Sequence, residues 1–154
     1  MLWLVVTALA TPWNVDDSGV VLGGWDPVSY HEGQPKQGDA AHALQWDGAV
    51  WHFASDANRK RFEAAPAETA PAFGGWCAFG FAMDPGATGW PVGPYPVDTK
   101  SYLVRDGRLL LFHDSSEFHA RAQWTADADA PLARADAAWQ QWSAGRKAVG
   151  PKAR

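Results

Sequence analysis

The chain lacks most of the residue patterns that mark catalytic or metal-binding classes. Cys77 is the only cysteine among 154 residues, which excludes an intrachain disulfide and a thiolate cluster. The sequence contains no Gly-x-Ser-x-Gly nucleophile motif, no Gly-Lys-Ser/Thr phosphate loop and no His-x-x-x-His pair. It has no apolar run of about 20 residues, the length that a membrane span needs. The sequence also predicts a chain without internal repeats or low-complexity linkers.

What the chain does contain is typical of one globular domain. Apolar residues make up 47% and charged residues 19%, which excludes general disorder. The formal net charge of −4 gives no general attraction to polyanions, so we expect no nucleic-acid partner. Ten residues are Trp, and we therefore expect a core in which large indole rings supply much of the buried area.

The N-terminal segment 1–19 has two interpretations. Residues 1–10 are almost entirely apolar and end in Ala8-Leu9-Ala10, a small-residue pattern typical of a signal-peptide cleavage site, although a basic start is missing. The segment is then an incomplete export signal and leader, and the protein is periplasmic or secreted. The alternative is a strand or helix that packs on the domain. We expect export.

Two Asp-Gly pairs predict two β-hairpins, because glycine accepts the positive φ that a two-residue turn requires. Around Asp47-Gly48 the expected pairs are Trp46 with Ala49, Leu44 with Trp51 and His42 with Phe53. Around Asp106-Gly107 the expected pairs are Arg105 with Arg108, Val104 with Leu109, Leu103 with Leu110 and Tyr102 with Leu111. The second hairpin is apolar on both faces, which favours a central position in the sheet.

Helices are expected after each hairpin. Ser55 is a suitable N-cap for a helix over 56–64, with Phe62 as its apolar anchor. Ser115 or Ser116 is expected to cap a helix that runs to about Gln123, and a further helix starts at Asp129. The segment before the first hairpin, 25–30, is expected to be a turn that leads into an extended piece.

These elements predict an α+β fold: a small antiparallel sheet built from two hairpins, short helices packed on it and a helical C-terminal segment. The main domain is expected over 20–113, the C-terminal helices over 114–145 and a basic tail over 146–154. Core positions are expected at six apolar residues, namely Trp46, Trp51, Phe53, Phe62, Leu103 and Leu111.

Several of these motifs together resemble the YHS domain family, and in particular its stand-alone, exported, single-domain members. The resemblance covers roughly 23–112. It depends on three stretches: Gly24-Trp25-Asp26-Pro27-Val28-Ser29-Tyr30, the hairpin Trp46-Asp47-Gly48-Ala49-Val50-Trp51-His52-Phe53 with the helix after it, and Ala70-Pro71-Ala72-Phe73-Gly74-Gly75-Trp76-Cys77-Ala78.

The resemblance implies a small α+β module associated with metal handling, but this sequence departs from the attached modules of the family at the implied metal site. Those modules carry cysteines at three positions, which here hold Ser29, Ala54 and Asn58. None of these side chains is a thiolate, and Ala54 has no ligating atom. A transition metal therefore stays open as a cofactor only at a different site.

Cys77, His113 and Asp26 are the candidate ligands for such a different site, and Tyr30 and Trp76 are candidates for lining a ligand pocket. Each has a structural interpretation as well. Aromatic neighbours favour a buried, inert Cys77, and Asp26 beside Pro27 is typical of a turn residue that accepts backbone N–H groups. The basic run 59–61 is typical of a solvated helix face, with an anion or lipid contact as the alternative.

The preferred functional hypothesis is a non-enzymatic, exported YHS-like domain that binds a metal or another small ligand. The first alternative is a small enzyme or thiol redox protein that uses Cys77, assisted by Asp26, Tyr30 or His113. The second alternative is a structural or interaction module without a ligand. Convergence of Cys77 and a histidine beside an open cavity would separate these hypotheses.

Overall fold

Short helices precede and follow two hairpins in the computed structural model, which describes residues 11–124 and 129–146, and the fold is α+β as expected. The strands are β1 (Asp39–Trp46), β2 (Ala49–Phe53), β3 (Asp98–Arg105) and β4 (Arg108–Phe112). The helices are α1 (Pro27–His31), α2 (Asp56–Ala64), α3 (Pro66–Thr69), α4 (Ala78–Ala82), α5 (Pro85–Thr88), α6 (Ala120–Gln123) and α7 (Asp129–Ser143). Short 3₁₀ turns at Leu22–Gly24 and Ala72–Gly75 precede α1 and α4.

Both predicted hairpin turns are confirmed. All four predicted pairs of the second hairpin are observed, as are two of the three in the first. The predicted pair of His42 with Phe53 is wrong, because a bulge shifts the register and Asp39 lies opposite Phe53. The extra residues of the longer strand bend it away from its partner, which a strict alternation pattern does not reveal.

The expectation of a single sheet is wrong, since β1–β2 and β3–β4 form two separate two-stranded sheets. The free edges of β2 and β4 are each occupied by a segment from earlier in the chain. Val20 pairs with Val50 beside β2, while Pro71 and Cys77 pair with Leu109 and Leu111 beside β4. These edges are therefore not available for pairing between the hairpins.

The two sheets are joined through side-chain packing on β4. Leu109 and Leu111 belong to the core that contains Trp51 and Phe62, whereas Leu110 and Phe112 belong to a second core. These four of the five β4 residues are fully buried, which confirms the prediction of a strand that is apolar on both faces. Of the six predicted core residues, Trp46 and Leu103 are only half-buried and the other four are buried.

Local signals place some helices correctly and others incorrectly. Helix α2 has the predicted bounds, and its cap is confirmed because the Ser55 side chain accepts the backbone N–H of Asn58. The segment expected to be extended after Trp25 is instead helix α1, which Asp26 caps and Pro27 starts. No helix starts at Ser115 or Ser116; α6 begins only at Ala120, after a turn that His119 closes.

The expectation of a chain without repeats is also wrong, because the first repeat (20–54) and the second repeat (71–113) have the same architecture. Each starts with a 3₁₀ turn of positive-φ residues, continues through a five-residue helix and ends in a hairpin of an eight- and a five-residue strand. The first turns are Leu22-Gly23-Gly24 and Phe73-Gly74-Gly75, and a tryptophan follows both.

Backbone hydrogen bonds confirm this equivalence atom by atom. The N–H of Asp26 donates to the Lys36 carbonyl, and the N–H of Cys77 donates to the Tyr95 carbonyl, both at 3.0 Å. Further along, Asp39 and Asp98 each accept the N–H two residues on at 2.8 Å. Asp26 and Cys77 are therefore equivalent positions of the two repeats.

The repeats differ most in the connection between helix and hairpin. Residues 32–38 connect α1 to β1, whereas the much longer segment 83–97 connects α4 to β3 and includes α5. Helix α7 packs on α4 and contributes Ala135 to the second core. Across 11–124 and 129–146, no helix combines the length and apolar character that a membrane crossing requires. Residues 1–10 of the predicted export segment 1–19 and residues 147–154 of the predicted tail lie outside the described residues.

Candidate functional site

Asp26 lies fully buried where the first turns of α1 and α2 meet the end of β2. Its Oδ1 accepts the backbone N–H groups of Val28 at 2.9 Å and Ser29 at 3.4 Å. Its Oδ2 accepts the backbone N–H of Ala54 at 2.9 Å and the side-chain amide of Asn58 at 2.7 Å. Four N–H donors thus satisfy the buried carboxylate, and the prediction of a turn-stabilising role is confirmed.

The three positions that the YHS resemblance would assign to cysteines surround this carboxylate. Ser29, Ala54 and Asn58 each donate an N–H to Asp26. The Ser29 hydroxyl also donates to the Asp26 carbonyl at 2.6 Å and accepts the N–H of Lys36 at 2.9 Å. Because these polar atoms already have partners and Ala54 has no ligating atom, the residues present do not fit a metal ion at this place.

Cys77 occupies the equivalent position of the second repeat and is 1% exposed. Its Sγ accepts the backbone N–H of His113 at 3.2 Å, as Asp26 accepts that of Ala54. Burial raises the pKa of the Cys77 thiol, and the His113 N–H opposes this shift only in part. The surroundings of Cys77 are those of a structural cysteine and not those of an activated nucleophile.

A cleft of about 580 Å³, here called the Cys77–His113 cleft, opens beside this thiol. One wall comes from segment 83–97, the other from residues 113–118, and Cys77 and Gly80 are buried at its base. Apolar and aromatic side chains dominate the lining: Cys77, Phe79, Met83, Trp90, Tyr95 and Phe118. Cys77 and His113 therefore both lie beside an open cavity, the observation named above as the one that would separate the functional hypotheses.

Most polar side chains around the cleft are held by the protein itself. Tyr95 donates its hydroxyl to the Pro91 carbonyl at 2.8 Å, and the Ser115 hydroxyl accepts the N–H of Phe118 at 3.1 Å. The Nδ1 atom of His113 lies 3.1 Å from the Pro96 carbonyl. A carbonyl oxygen only accepts, so Nδ1 carries the proton and Nε2 of the neutral ring is an acceptor.

The other candidate residues lie elsewhere. Asp26 does not line the Cys77–His113 cleft, and its oxygens are satisfied as described above. Tyr30 is buried in the first core and donates its hydroxyl to the Thr99 carbonyl at 2.7 Å, while Trp76 donates its indole N–H to the Pro12 carbonyl at 3.0 Å. Neither aromatic residue lines this cleft or the second cavity described below.

The donor set in the Cys77–His113 cleft does not fit a metal site. Zinc centres in proteins use at least three protein ligands, and Cys77, His113 and Glu117 line the cleft without forming such a group. Within 11–124 and 129–146, no three His, Cys, Asp or Glu residues are grouped as a metal ion requires. We therefore derive no chemistry that passes through a metal.

A second cavity, of about 500 Å³, lies between α2–α3 and the turn of the second hairpin. Its two arginines, Arg61 and Arg108, are paired with Glu32 and Asp136. The neighbouring Arg59 and Lys60 pair with Asp56 and lower its pKa to about 2. All three members of the basic run 59–61 thus have acidic partners, as expected of a solvated helix face.

The sequence did not indicate most residues of the Cys77–His113 cleft. Trp90 and Phe118 are 63% and 42% exposed, although large aromatic side chains are normally buried. They belong to loops without periodicity, so no pattern of the sequence assigned them to a common site. The one available signal was the long Gly- and Pro-rich segment between α4 and β3, because loops of this length are commonly functional.

Comparisons with known proteins do not assign the chain to a group. No protein-family model, no curated protein and no solved structure matches it.

Proposed function

We propose that this protein is a non-enzymatic, exported, YHS-like domain that binds a small organic ligand in the Cys77–His113 cleft. The observation that carries this proposal is the cleft itself. Its volume of about 580 Å³ lies within the range of about 300–1,000 Å³ that is usual for small-molecule sites. Its lining is also typical of such sites, with an apolar and aromatic majority and a few polar groups.

The YHS part of the proposal is supported by the surroundings of Asp26. The resemblance implies that positions 29, 54 and 58 form one site, and these residues do lie around one carboxylate. The motif residues Asp26-Pro27 also start a helix beside the hairpin that belongs to the same resemblance. Export is supported only by the apolar pattern of residues 1–10.

A binding role is favoured over thiol catalysis by the state of Cys77. A nucleophilic or redox cysteine needs an accessible thiolate, which a lowered pKa supplies. Cys77 is 1% exposed and burial raises its pKa, so its thiol is neither accessible nor readily ionised. At the base of the cleft it is a small, buried, polarisable packing residue.

The proposal is tested with N-phenyl-1-naphthylamine, a neutral fluorescent probe that measures binding to apolar sites. We expect saturable binding, and we expect Trp90→Ala and Phe118→Ala each to weaken it by about tenfold, the loss that about 1.4 kcal/mol of contact energy produces. Val104→Ala is the matched control, because Val104 is also an exposed apolar side chain but lies outside the cleft.

Two results would contradict the proposal. Equal binding by all three variants would show that the probe does not enter the cleft. Stoichiometric metal in protein purified without an affinity tag, measured by elemental analysis and lost on Cys77→Ala, would replace the organic ligand with a metal ion.

A further inference from the structure

The lining of the Cys77–His113 cleft differs in charge from the chain as a whole. No lysine or arginine lines the cleft, although the chain carries 13 of them. The only side chain of the lining with a formal charge at neutral pH is Glu117. Within 11–124 and 129–146, no ion pair engages the Glu117 carboxylate.

Four aromatic residues line the same cleft as this carboxylate: Phe79, Trp90, Tyr95 and Phe118. The centroids of Phe79 and Phe118 are 5.8 Å apart, with their planes tilted by 46°. The Tyr95 hydroxyl donates to the Pro91 carbonyl, so it is not an available donor for a ligand. Ring faces are electron-rich, and several of them around one space attract a positive charge.

Two further polar groups of the lining, His113 and Ser115, also suit a cation. His113 offers Nε2 as an acceptor because its Nδ1 proton is directed to the Pro96 carbonyl. The Ser115 hydroxyl is held by the turn that ends at Phe118. An anion in this cleft would meet the Glu117 carboxylate without a compensating lysine or arginine, at a cost that a partly desolvated site increases.

From these three observations we propose that the ligand of the Cys77–His113 cleft is a small organic cation, an alkylated ammonium group on an apolar body. The ammonium group lies among the ring faces near Glu117, and the apolar body contacts Met83 and the base of the cleft. This inference rests on the proposed function, since it names the chemical class of ligand for the same site.

The test compares three molecules of similar shape and different charge by titration calorimetry. The probes are benzyltrimethylammonium, its neutral isostere neopentylbenzene and the anion phenylacetate. We expect the cation to bind at least about tenfold more tightly than the isostere, and phenylacetate to bind most weakly. Higher salt should weaken binding of the cation and leave the neutral isostere unchanged.

A charge-removing variant locates the effect. Glu117→Gln should weaken benzyltrimethylammonium about threefold to tenfold and leave neopentylbenzene unchanged. Glu68→Gln is the matched control, because Glu68 is an exposed carboxylate that lines the other cavity, and it should change neither affinity. Both positions are exposed, so the substitutions do not disturb the core.

The outcomes separate this inference from the proposed function. If N-phenyl-1-naphthylamine binds in the cleft but the cation binds no better than its isostere, or Glu117→Gln has no effect, the cationic ligand is wrong and the binding site stands. If neither the fluorescent probe nor any of the three molecules binds, the proposed function itself fails.

Discussion

The two repeats have the same backbone arrangement but differ in the side chain at its central acceptor position. Asp26 and Cys77 follow equivalent Gly-Gly-Trp turns, and each accepts the N–H of the residue after the short strand, from Ala54 at 2.9 Å and from His113 at 3.2 Å. The frame therefore requires an acceptor at this position. A carboxylate has room for three further N–H donors, whereas a thiol is a weak acceptor with fewer partners.

The connecting segments complete the difference. In the first repeat, 32–38 closes tightly over the helix, and the space around Asp26 is filled by protein groups. In the second repeat, the longer segment 83–97 forms a wall of the Cys77–His113 cleft. One copy of the frame is thus closed and stabilised by its own hydrogen bonds, and the other is left open to a ligand.

The largest expected effect tests whether the first core contributes more to stability than the second. Trp51 and Leu110 are equivalent positions, both fully or nearly fully buried. Trp51→Ala should lower the free energy of unfolding by about 3–5 kcal/mol, and Leu110→Ala by about 2–5 kcal/mol with the smaller cavity. Urea denaturation measures both. A loss below about 1 kcal/mol for Trp51→Ala would contradict its position in the core.

The second prediction compares two aspartates that cap short helices starting with proline. Asp26→Ala leaves four N–H donors without their acceptor in a buried place and should cost about 3 kcal/mol. Asp84→Ala is the control, because Asp84 caps α5 in the same way but is exposed. We expect it to cost about 1 kcal/mol or less. Equal losses would show that burial of the Asp26 carboxylate has no special role.

The third prediction concerns Cys77, the second-repeat counterpart of Asp26. Cys77→Ala should lower the free energy of unfolding by about 1–2 kcal/mol, less than Asp26→Ala, since a thiol is a weaker hydrogen-bond acceptor than a carboxylate. Cys77→Ser should be worse than Cys77→Ala if its hydroxyl finds no good partner in this apolar place. A neutral alanine substitution would mean that the thiol does not contribute to packing.

Thiol labelling gives a fourth prediction with a defined pH dependence. Burial raises the pKa of Cys77 above its unfolded value, so the native protein favours the protonated thiol. This contribution to stability is fully present below the unfolded pKa and is lost as pH rises through the folded pKa.

Native protein should therefore react slowly with a thiol reagent at neutral pH and rapidly after unfolding. Rapid labelling of native protein would show that Cys77 is an accessible, reactive thiol and would contradict its structural role.

The smallest expected loss of stability comes from the residue that follows each repeat, Ser55 after the first and Asp114 after the second. Ser55→Ala removes the cap of α2 and should cost about 1 kcal/mol. Asp114 occupies the equivalent place, but helix α6 begins only at Ala120, after an intervening turn. The pair that Asp114 forms with His119 is exposed. Asp114→Ala should therefore cost less than about 0.5 kcal/mol. A larger loss for Asp114→Ala, measured by thermal denaturation, would show that this turn is held more firmly than its exposure indicates.

Elements fixed by local chemistry were predictable from the sequence. The turns at Asp47-Gly48 and Asp106-Gly107, the cap at Ser55 and the role of Asp26 as an N–H acceptor all depend on a few adjacent residues. Helix α1 was missed although its signals, a capping Asp26 and Pro27 at the first position, were present. The repeat had signals too, in two Gly-Gly-Trp turns and two Asp-Gly turns in the same order.

The cleft could not be predicted because it depends on tertiary arrangement. Trp90 and Glu117 are distant in sequence and lie in irregular segments, and the tertiary fold brings them to one cleft. The separation into two sheets likewise depends on which segment occupies the strand edges. Neither feature leaves a periodic pattern in the chain.

Strand β4 also sets the order in which this molecule can acquire its structure. The first repeat does not hold a complete core, since Leu109 and Leu111 fill it from far along the chain. During synthesis the ribosome must release β4 before Trp51 and Phe62 find their final neighbours. An architecture of two copies, which would otherwise favour stepwise and independent folding, is thereby made a single cooperative unit that folds late.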